Sequence, residues 1–379
     1  MASADQTGPV AVYGATGFTG RLVAAELRRR DAEFVISGRD PGKLERLSAH
    51  LGGVPSRSAA ADDPAALRSL FEPCAAVIAC AGPFTLHGEG VLAAAAETGT
   101  HYVDTTGEQP FIRMVFECYG PTAERNGAAL VPAMGFDYAP GDLIAELTAE
   151  GMGPLDEIVL AYAVRGFRAT RGTMLSTMEI VGGGDVEYTD GALRPASGKT
   201  SRGTFRFPPP MGEQRMIRYP AGEPITVPRH VDTRNVRMMM SAGTAGFPAQ
   251  LGPVLPVVMP AFGMAMRTPM RKALGAMVNR LPEGPSEQNR RAARFMIACD
   301  ARAGSRSRRG IVTGADLYGL TALTTVQAAM RMSEKSFDRS GALAPAQAFD
   351  AASFLEKLAG FGVDHEVEPL PEPAPAPTA

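Results

Sequence analysis

The chain is poor in the residues that build metal sites and disulfide frameworks. It holds four cysteines, Cys74, Cys80, Cys118 and Cys299, with no CxxC spacing and no histidine partner pattern. Such cysteines read as free thiols in a reducing compartment, not as a stapled or zinc-bound scaffold. The five histidines are scattered and none falls in an HExxH arrangement, so no metal site is expected. An excess of positive charge is also missing. The 38 Lys and Arg face 40 Asp and Glu, for a net charge of −2, which excludes nucleic acid as an electrostatic partner. The opening residues MASADQTGPV contain neither a basic n-region nor an apolar h-region, which predicts a cytoplasmic protein.

Long apolar runs are scarce as well. The nearest to a membrane span is residues 251–266, almost uncharged but interrupted by Pro253, Pro256 and Pro260. A spanning helix needs about 20 residues, and three prolines would break its hydrogen-bond ladder. A buried or interfacial segment is expected there. Two catalytic patterns are absent too. No tyrosine has a lysine four positions on, which removes the Tyr–Lys proton relay of short-chain dehydrogenases, and there is no serine nucleophile elbow.

What is present begins at residue 10. The run VAVYGATGFTG carries an apolar strand into three glycines, Gly14, Gly17 and Gly20, spaced three apart. Leu22, Val23 and Leu27 then recur at helical spacing, so a buried strand, a tight turn and a helix N-terminus follow one another. Free N–H groups and the positive end of the helix dipole favour a pyrophosphate at such a turn. Gly14, Thr16, Gly17, Phe18, Thr19 and Gly20 are therefore the candidate dinucleotide cradle; without a ligand the same residues would make only a tight strand–helix turn. The spacing is GxxGxxG, not GxGxxG.

Further short strands, at 34–37, 76–80, 101–104 and 129–132, alternate with helices at 41–51, 64–71, 90–98 and 111–126, the last with a break at Gly120-Pro121. This alternation predicts an α/β class: a doubly wound parallel Rossmann sheet in the order 3-2-1-4-5-6. After about residue 137 the pattern changes. Strand-like runs at 156–165, 204–207, 216–219, 236–241, 294–301 and 307–313, with a helix at 172–181 and a hairpin at Ala303-Gly304, predict an inserted α+β domain of mainly antiparallel sheet. Two helices, 318–332 and 345–358, have no new strands to cover and are expected to pack back on the first domain. The expected boundaries are 8–135 for the NAD(P)-binding domain, completed by 335–368, and 136–334 for the substrate domain. The Pro/Ala-rich residues 369–379 read as a disordered tail.

At the end of the second strand stand Ser37, Gly38 and Arg39. An acidic residue there would hold the ribose 2′-OH of NAD, whereas an arginine accommodates the 2′-phosphate of NADP. Arg39, with Lys43 one turn on, favours NADPH; Asp40 is the competing sign for NAD. Ala81, Gly82 and Pro83 follow the fourth strand at the edge where cofactor and substrate sites meet. His87 lies nearby but reads more readily as structural. Asp104 or Glu108 can contact ribose or cap the helix starting near Pro110, capping being the first reading for Glu108, and Tyr138 can serve as an acid or as a packed aromatic. The catalytic acid is not identified from sequence.

The motifs GATGFTG, SGR, AGPFTLHGEGV, THYVDTTGE and MGFDYAPGDL, followed by ATRGTMLS and ADLYGLTAL, occur in one order over most of residues 8–360. In this the chain resembles the saccharopine dehydrogenase-like oxidoreductases, including the trans-acting enoyl reductases of bacterial lipid synthesis. Phe84 stands where many relatives have tyrosine. The resemblance implies a Rossmann domain around an inserted α+β domain. It also implies NADP-dependent reduction, in the trans-acting members of a carbon–carbon double bond in an acyl chain. The Met-rich segment 238–277 then reads as plain core, as a groove for a hydrophobic small-molecule substrate, or as a surface resting on a membrane. Arg165, Arg168 and Arg171 are the candidates for gripping carboxylates if the substrate is instead an amino-acid-derived imine. A third reading is a cofactor-binding scaffold without turnover. The oligomeric state is left open.

Overall fold

The computed structural model describes residues 7–182, 185–196, 203–244 and 270–370. Two sheets organise it. The first is built from β1 (Val10–Tyr13), β2 (Phe34–Gly38), β3 (Ser56–Ser58), β4 (Ala76–Ala79), β5 (His101–Asp104) and β6 (Ala129–Val131). All pair in parallel, and the order is the expected 3-2-1-4-5-6. β1, β2 and β4 are buried from end to end, as strands covered on both faces must be. On one face lie Val23, Ala24 and Leu27 of the helix Phe18–Arg29; on the other lie Leu67, Leu70, Val91 and Ala95. The helix starts follow local rules. Asp40 and Asp63 accept from Lys43 N and Ala66 N, both at 3.0 Å, with Pro41 and Pro64 in the first turn.

The expected break at Gly120-Pro121 is not a break. Gln109–Met114 passes through a wide turn at Val115–Tyr119 into Gly120–Arg125. Proline has no N–H to give, and an i→i+5 turn ahead of it lets the helix continue.

The second sheet holds β7 (Glu157–Arg165), β8 (Val186–Thr189), β9 (Ala192–Pro195), β10 (Gly203–Arg206), β11 (Glu213–Arg218), β12 (Val236–Ser241), β13 (Arg294–Ala303) and β14 (Arg306–Ala315). Its pairs are antiparallel except β12 with β7. The β8–β9 hairpin carries no clear apolar alternation and was not expected. The β13–β14 turn sits one residue beyond the expected site: Ala303 still pairs with Arg306, and Gly304 takes the left-handed φ of +60°. Along β7, Ile158, Leu160, Tyr162 and Val164 join the core beneath the helices, while Val159, Ala161 and Ala163 pack on the opposite face with Phe205 and Phe207. Met238 and Met239 divide between the same two cores. The apolar run 251–266 and most of the Met-rich segment lie outside the described residues. No helix among the described residues is long and apolar enough to cross a membrane.

The C-terminal region serves both sheets. Leu317–Met332 packs on helix Phe18–Arg29 and on β4 and β5, so cover for the first sheet begins ahead of the expected return at 335. β15 (Gly341–Ala342) then extends that sheet beside β6. The expected helix 345–358 is two helices, Pro345–Ala348 and Ala351–Ala359, because Asp350 turns the chain and caps the second through Ser353 N at 2.8 Å. The last strand among the described residues is β16 (Asp364–Pro369), which pairs with β14 in the second sheet. Pro369 and Leu370, expected in the disordered tail, are thus ordered by pairing with β14 and by a hydrogen bond from Leu370 N to Ser307 O. Residues 371–379 lie outside the described residues.

Candidate functional site

At the carboxyl edge of the first sheet a cavity of about 920 Å³ opens between the two sheets. Its floor is the turn after β1. Gly14 has φ +79°, and a Cβ there would come within 2.9 Å of Ala81 N, so only glycine lets the two loops touch. Thr16, Gly17, Phe18 and Thr19 line the cavity above the first turn of helix Phe18–Arg29. Gly20 does not line it. A Cβ at Gly20 would lie 2.3 Å from Gly14 O, which makes it the close-packing glycine that seats the helix on the strand.

Arg39 and Lys43 close one end of the cavity. Both are exposed. Asp40, the competing sign for NAD, is occupied as a helix cap through Lys43 N, and its other oxygen lies 3.9 Å from Lys43 Nζ. The opposite end is formed by Ala81, Gly82 and Pro83, with Thr170, Gly172 and Leu175 across from them. His87 reaches the cavity from an exposed position on the short helix Phe84–His87. At the rim, Arg21 donates to Thr16 O at 2.7 Å and pairs with Glu283 at 2.5 Å, while Arg171 lies 3.4 Å from the same carboxylate.

Asp104 is fully buried and does not reach this space. Its Oδ1 accepts from Thr106 N at 2.9 Å and from Ala133 N at 2.8 Å. Burial raises its carboxyl to about 6, with those N–H groups pulling the other way. Ala133 itself is held at φ +62°, an uncommon conformation for a residue with a side chain. Glu108 does not cap its own helix. Its Oε1 accepts from Phe84 N at 2.9 Å and its Oε2 from Thr85 N at 2.8 Å, while Ser176 Oγ donates to Oε1 at 2.9 Å. Tyr138 is a packed aromatic. Its hydroxyl donates to Gly107 O at 2.8 Å, and burial pushes its phenol well above the usual range.

The residue that sequence reasoning passed over is Asp137. It follows β6 at the same sheet edge and its side chain is open to water. The protein atoms crowded around it nevertheless raise its carboxyl to about 6. Tyr138, Tyr162, Tyr219, Tyr318 and Glu223 lie within its electrostatic reach. Glu223 is wholly buried. One of its oxygens accepts from Tyr162 at 2.6 Å, the other has no partner among the described residues, and burial lifts the carboxyl to about 8. The position of Asp137 after the sixth strand was a usable sequence signal; Glu223 had none, since only the fold brings it under β7.

The candidate carboxylate-gripping arginines do not converge. Arg165 donates to Pro210 O at 2.9 Å, Arg171 to Asn279 O at 2.9 Å, and Arg168 is exposed.

Residues 10–133 match the family described as the saccharopine dehydrogenase NADP binding domain. A trans-acting enoyl reductase of Mycobacterium ulcerans is 33% identical over 208 residues, covering 52% of this chain and 47% of the relative. A protein of the same name from Mycobacterium leprae is 36% identical over 140 residues, covering 35% and 34%. The matched region thus spans about half the length of the first relative or less. In structure, an apo saccharopine dehydrogenase (L-Glu forming) of Saccharomyces cerevisiae superposes over 95% of this chain and all of its own, with a TM-score of 0.62 at 14% identity. That likeness shows the fold. The parallel sheet and its glycine turn are accordingly a saccharopine dehydrogenase-type NADP-binding domain, set in a chain of the saccharopine dehydrogenase fold.

Proposed function

We propose that the protein is an NADPH-dependent oxidoreductase that reduces an activated carbon–carbon double bond in a hydrophobic acyl substrate. The observation that carries this reading is the make-up of the sheet edge just after β6. It holds the Asp137 carboxyl group with phenols within its electrostatic reach, while Arg165 and Arg171 are engaged by the backbone carbonyls of Pro210 and Asn279 and the exposed Arg168 does not line the cavity. A substrate with several carboxylates would meet Asp137 without a compensating cation from these three arginines, which is costly in a desolvated site. Half-buried Met174, Leu175 and Met178 on the helix Arg171–Gly182 offer apolar surface instead. The relatives named trans-acting enoyl reductase support the same choice.

The cavity fits NADPH. The first N–H groups of helix Phe18–Arg29 and the bare backbone of Gly14 and Gly17 would take the pyrophosphate. Arg39 and Lys43 would take the 2′-phosphate, and the loop at Ala81–Pro83 would back the nicotinamide. When bound, NADPH supplies a hydride to the β-carbon of the double bond. Asp137, at the same sheet edge, holds a proton on its carboxyl oxygen up to about pH 6, with which it would protonate the α-carbon. The remaining work of the protein is to position the two partners and exclude water.

Purified protein is to be incubated with NADPH and enoyl thioesters of increasing chain length, and in parallel with amino-acid/keto-acid pairs. NADPH consumption that rises with acyl length is expected. Turnover confined to the amino-acid pairs would overturn the reading, as would tight NADPH binding with no turnover of any substrate.

A further inference from the structure

The cavity has two walls that belong to different sheets, and one side chain is hydrogen-bonded to both. The inner wall is the loop Ala81–Pro83 and the helix Phe84–His87 that follows it. The outer wall is the helix Arg171–Gly182, which contributes Gly172 and Leu175. Between them stands Glu108, with no exposed surface. Its two oxygens bind the N–H groups of Phe84 and Thr85 on the inner wall, and the first of them also receives the hydroxyl of Ser176 from the outer wall. The two walls are close here: a Cβ on Gly82 would come 3.2 Å from Ser176 Oγ. The support of Glu108 is itself fixed, since its N–H donates to Thr106 Oγ1 at 3.1 Å and the neighbouring Gly107 O receives the Tyr138 hydroxyl.

We propose that Glu108 and Ser176 form a pin that sets the width of the cavity at its nicotinamide end and so positions the nicotinamide, without touching the adenosine end. The inference rests on the assignment of NADPH to the cavity but not on the nature of the reduced bond. In a doubly wound sheet the dinucleotide crosses the first turn with its adenosine over β2 and its nicotinamide toward β4 and β5. Arg39 and Lys43 stand at the first end; the pin stands at the second. A carboxylate is suited to this place because it accepts at both oxygens. An amide keeps one acceptor oxygen and turns a donor toward an N–H group that then has no partner. Ser176 adds the only part of the pin contributed by the second sheet's helix, so its removal unties the walls while leaving the loop capped.

The test compares two ligands by equilibrium titration: NADPH, and 2′-phospho-ADP-ribose, which lacks the nicotinamide. The proteins are the wild type, Ser176→Ala, Ser176→Thr and Glu108→Gln. The wild type is expected to bind NADPH more tightly than the truncated ligand. Ser176→Ala should cut that preference by about tenfold, the loss typical of one hydrogen bond to a charged group, with affinity for 2′-phospho-ADP-ribose unchanged. Nicotinamide fluorescence anisotropy of bound NADPH should fall in parallel. Ser176→Thr keeps the hydroxyl and should restore both. Because Ser176 is only half-buried, Ser176→Ala is expected to fold and remains decisive if Glu108→Gln does not. An unchanged preference in Ser176→Ala, or an equal loss for both ligands, would overturn the pin alone. Failure of wild-type protein to bind NADPH would overturn the pin and the cofactor assignment together.

Discussion

Replacing Arg39 with alanine tests the cofactor assignment most directly. Arg39 is exposed at the end of β2, lines the cavity, and forms no ion pair among the described residues. Its guanidinium is thus available to a phosphate. The adjacent Asp40 is held by Lys43 N as a helix cap, so it is not free to bind a ribose diol in compensation. A hydrogen bond to a charged group contributes about 1.5–3 kcal/mol, and exposure to solvent argues for the lower end. About 1.5 kcal/mol corresponds to roughly tenfold in Kd. Arg39→Ala should therefore weaken NADPH about tenfold in a fluorescence titration while NADH, which has no 2′-phosphate, changes by less than about twofold. The double variant Arg39→Ala, Lys43→Ala should lose more. Raising the ionic strength from low to high should reduce the NADPH affinity of the wild type and affect the variant less. Equal losses for the two nucleotides would refute the reasoning, because the group removed would then be acting on something both share.

The two helix glycines should separate binding from folding. Gly17→Val is expected to abolish nucleotide binding with little change in Tm, since Gly17 is exposed on the cavity and has an ordinary φ of −76°. Gly20→Ala should instead lower stability by about 1–3 kcal/mol, because its Cβ would overlap Gly14 O; chemical denaturation distinguishes the two. His230 lies 3.1 Å from the buried Asp142 and 2.6 Å from Glu146. Desolvation opposes its charge, but the two carboxylates prevail and raise its pKa to about 10. Its stabilising contribution is then complete below about pH 6.5, its ordinary value, and is lost as pH rises toward 10. His230→Gln should cost about 3–5 kcal/mol at pH 6 by stranding Asp142, and a variant difference that failed to shrink between pH 6 and pH 10 would refute this. Asp137→Asn should raise Tm at pH 8 and not at pH 4, since the native carboxyl resists ionisation below about 6; a fall in Tm at pH 8 would argue that its charge is welcome there.

The first sheet was readable because parallel strands buried on both faces leave unbroken apolar runs, as in Ala76–Ala79, and because Asp40, Asp63 and the flanking prolines punctuate the helices. β3 escaped notice: its residues Ser56–Ser58 are all exposed at the sheet edge, where no apolar pattern is required. The second sheet was readable in outline from β7, β12, β13 and β14. Its β8–β9 hairpin was not, since half-covered strands such as Val186–Thr189 alternate only weakly. For the site, the glycine turn and Arg39 are local signals. Glu108 is the opposite case. Its position before a helix suggested a cap, yet its carboxylate serves residues 23 and 24 positions away in sequence and a serine 68 away, a set of partners that only tertiary contact defines. Glu223 was silent for the same reason.

The shared C-terminal region bears on how this protein can be cut and rejoined. Leu317–Met332 hangs on the first sheet through several independent ties. Thr324 donates to Met134 O at 2.5 Å, Phe136 N donates to Thr321 at 3.0 Å, and Arg30 donates to Gln327 at 2.8 Å. A fragment ending near residue 135 would leave Val23, Leu27, Ile78 and Val103 without that lid of threonines and alanines, and would also lack the strand beside β6. Such a fragment should be insoluble or molten even though it contains every glycine of the nucleotide turn. A fragment that keeps the glycine turn on a fully covered first sheet has to be discontinuous: residues 7–149 rejoined through a short linker to a segment starting before Leu317, with β16 deleted because its partner β14 would be gone, and it would still lack the outer wall of the cavity. In this fold the nucleotide-binding unit is closed by the chain's far end, so synthesis must pass residue 342 before that site can be completed.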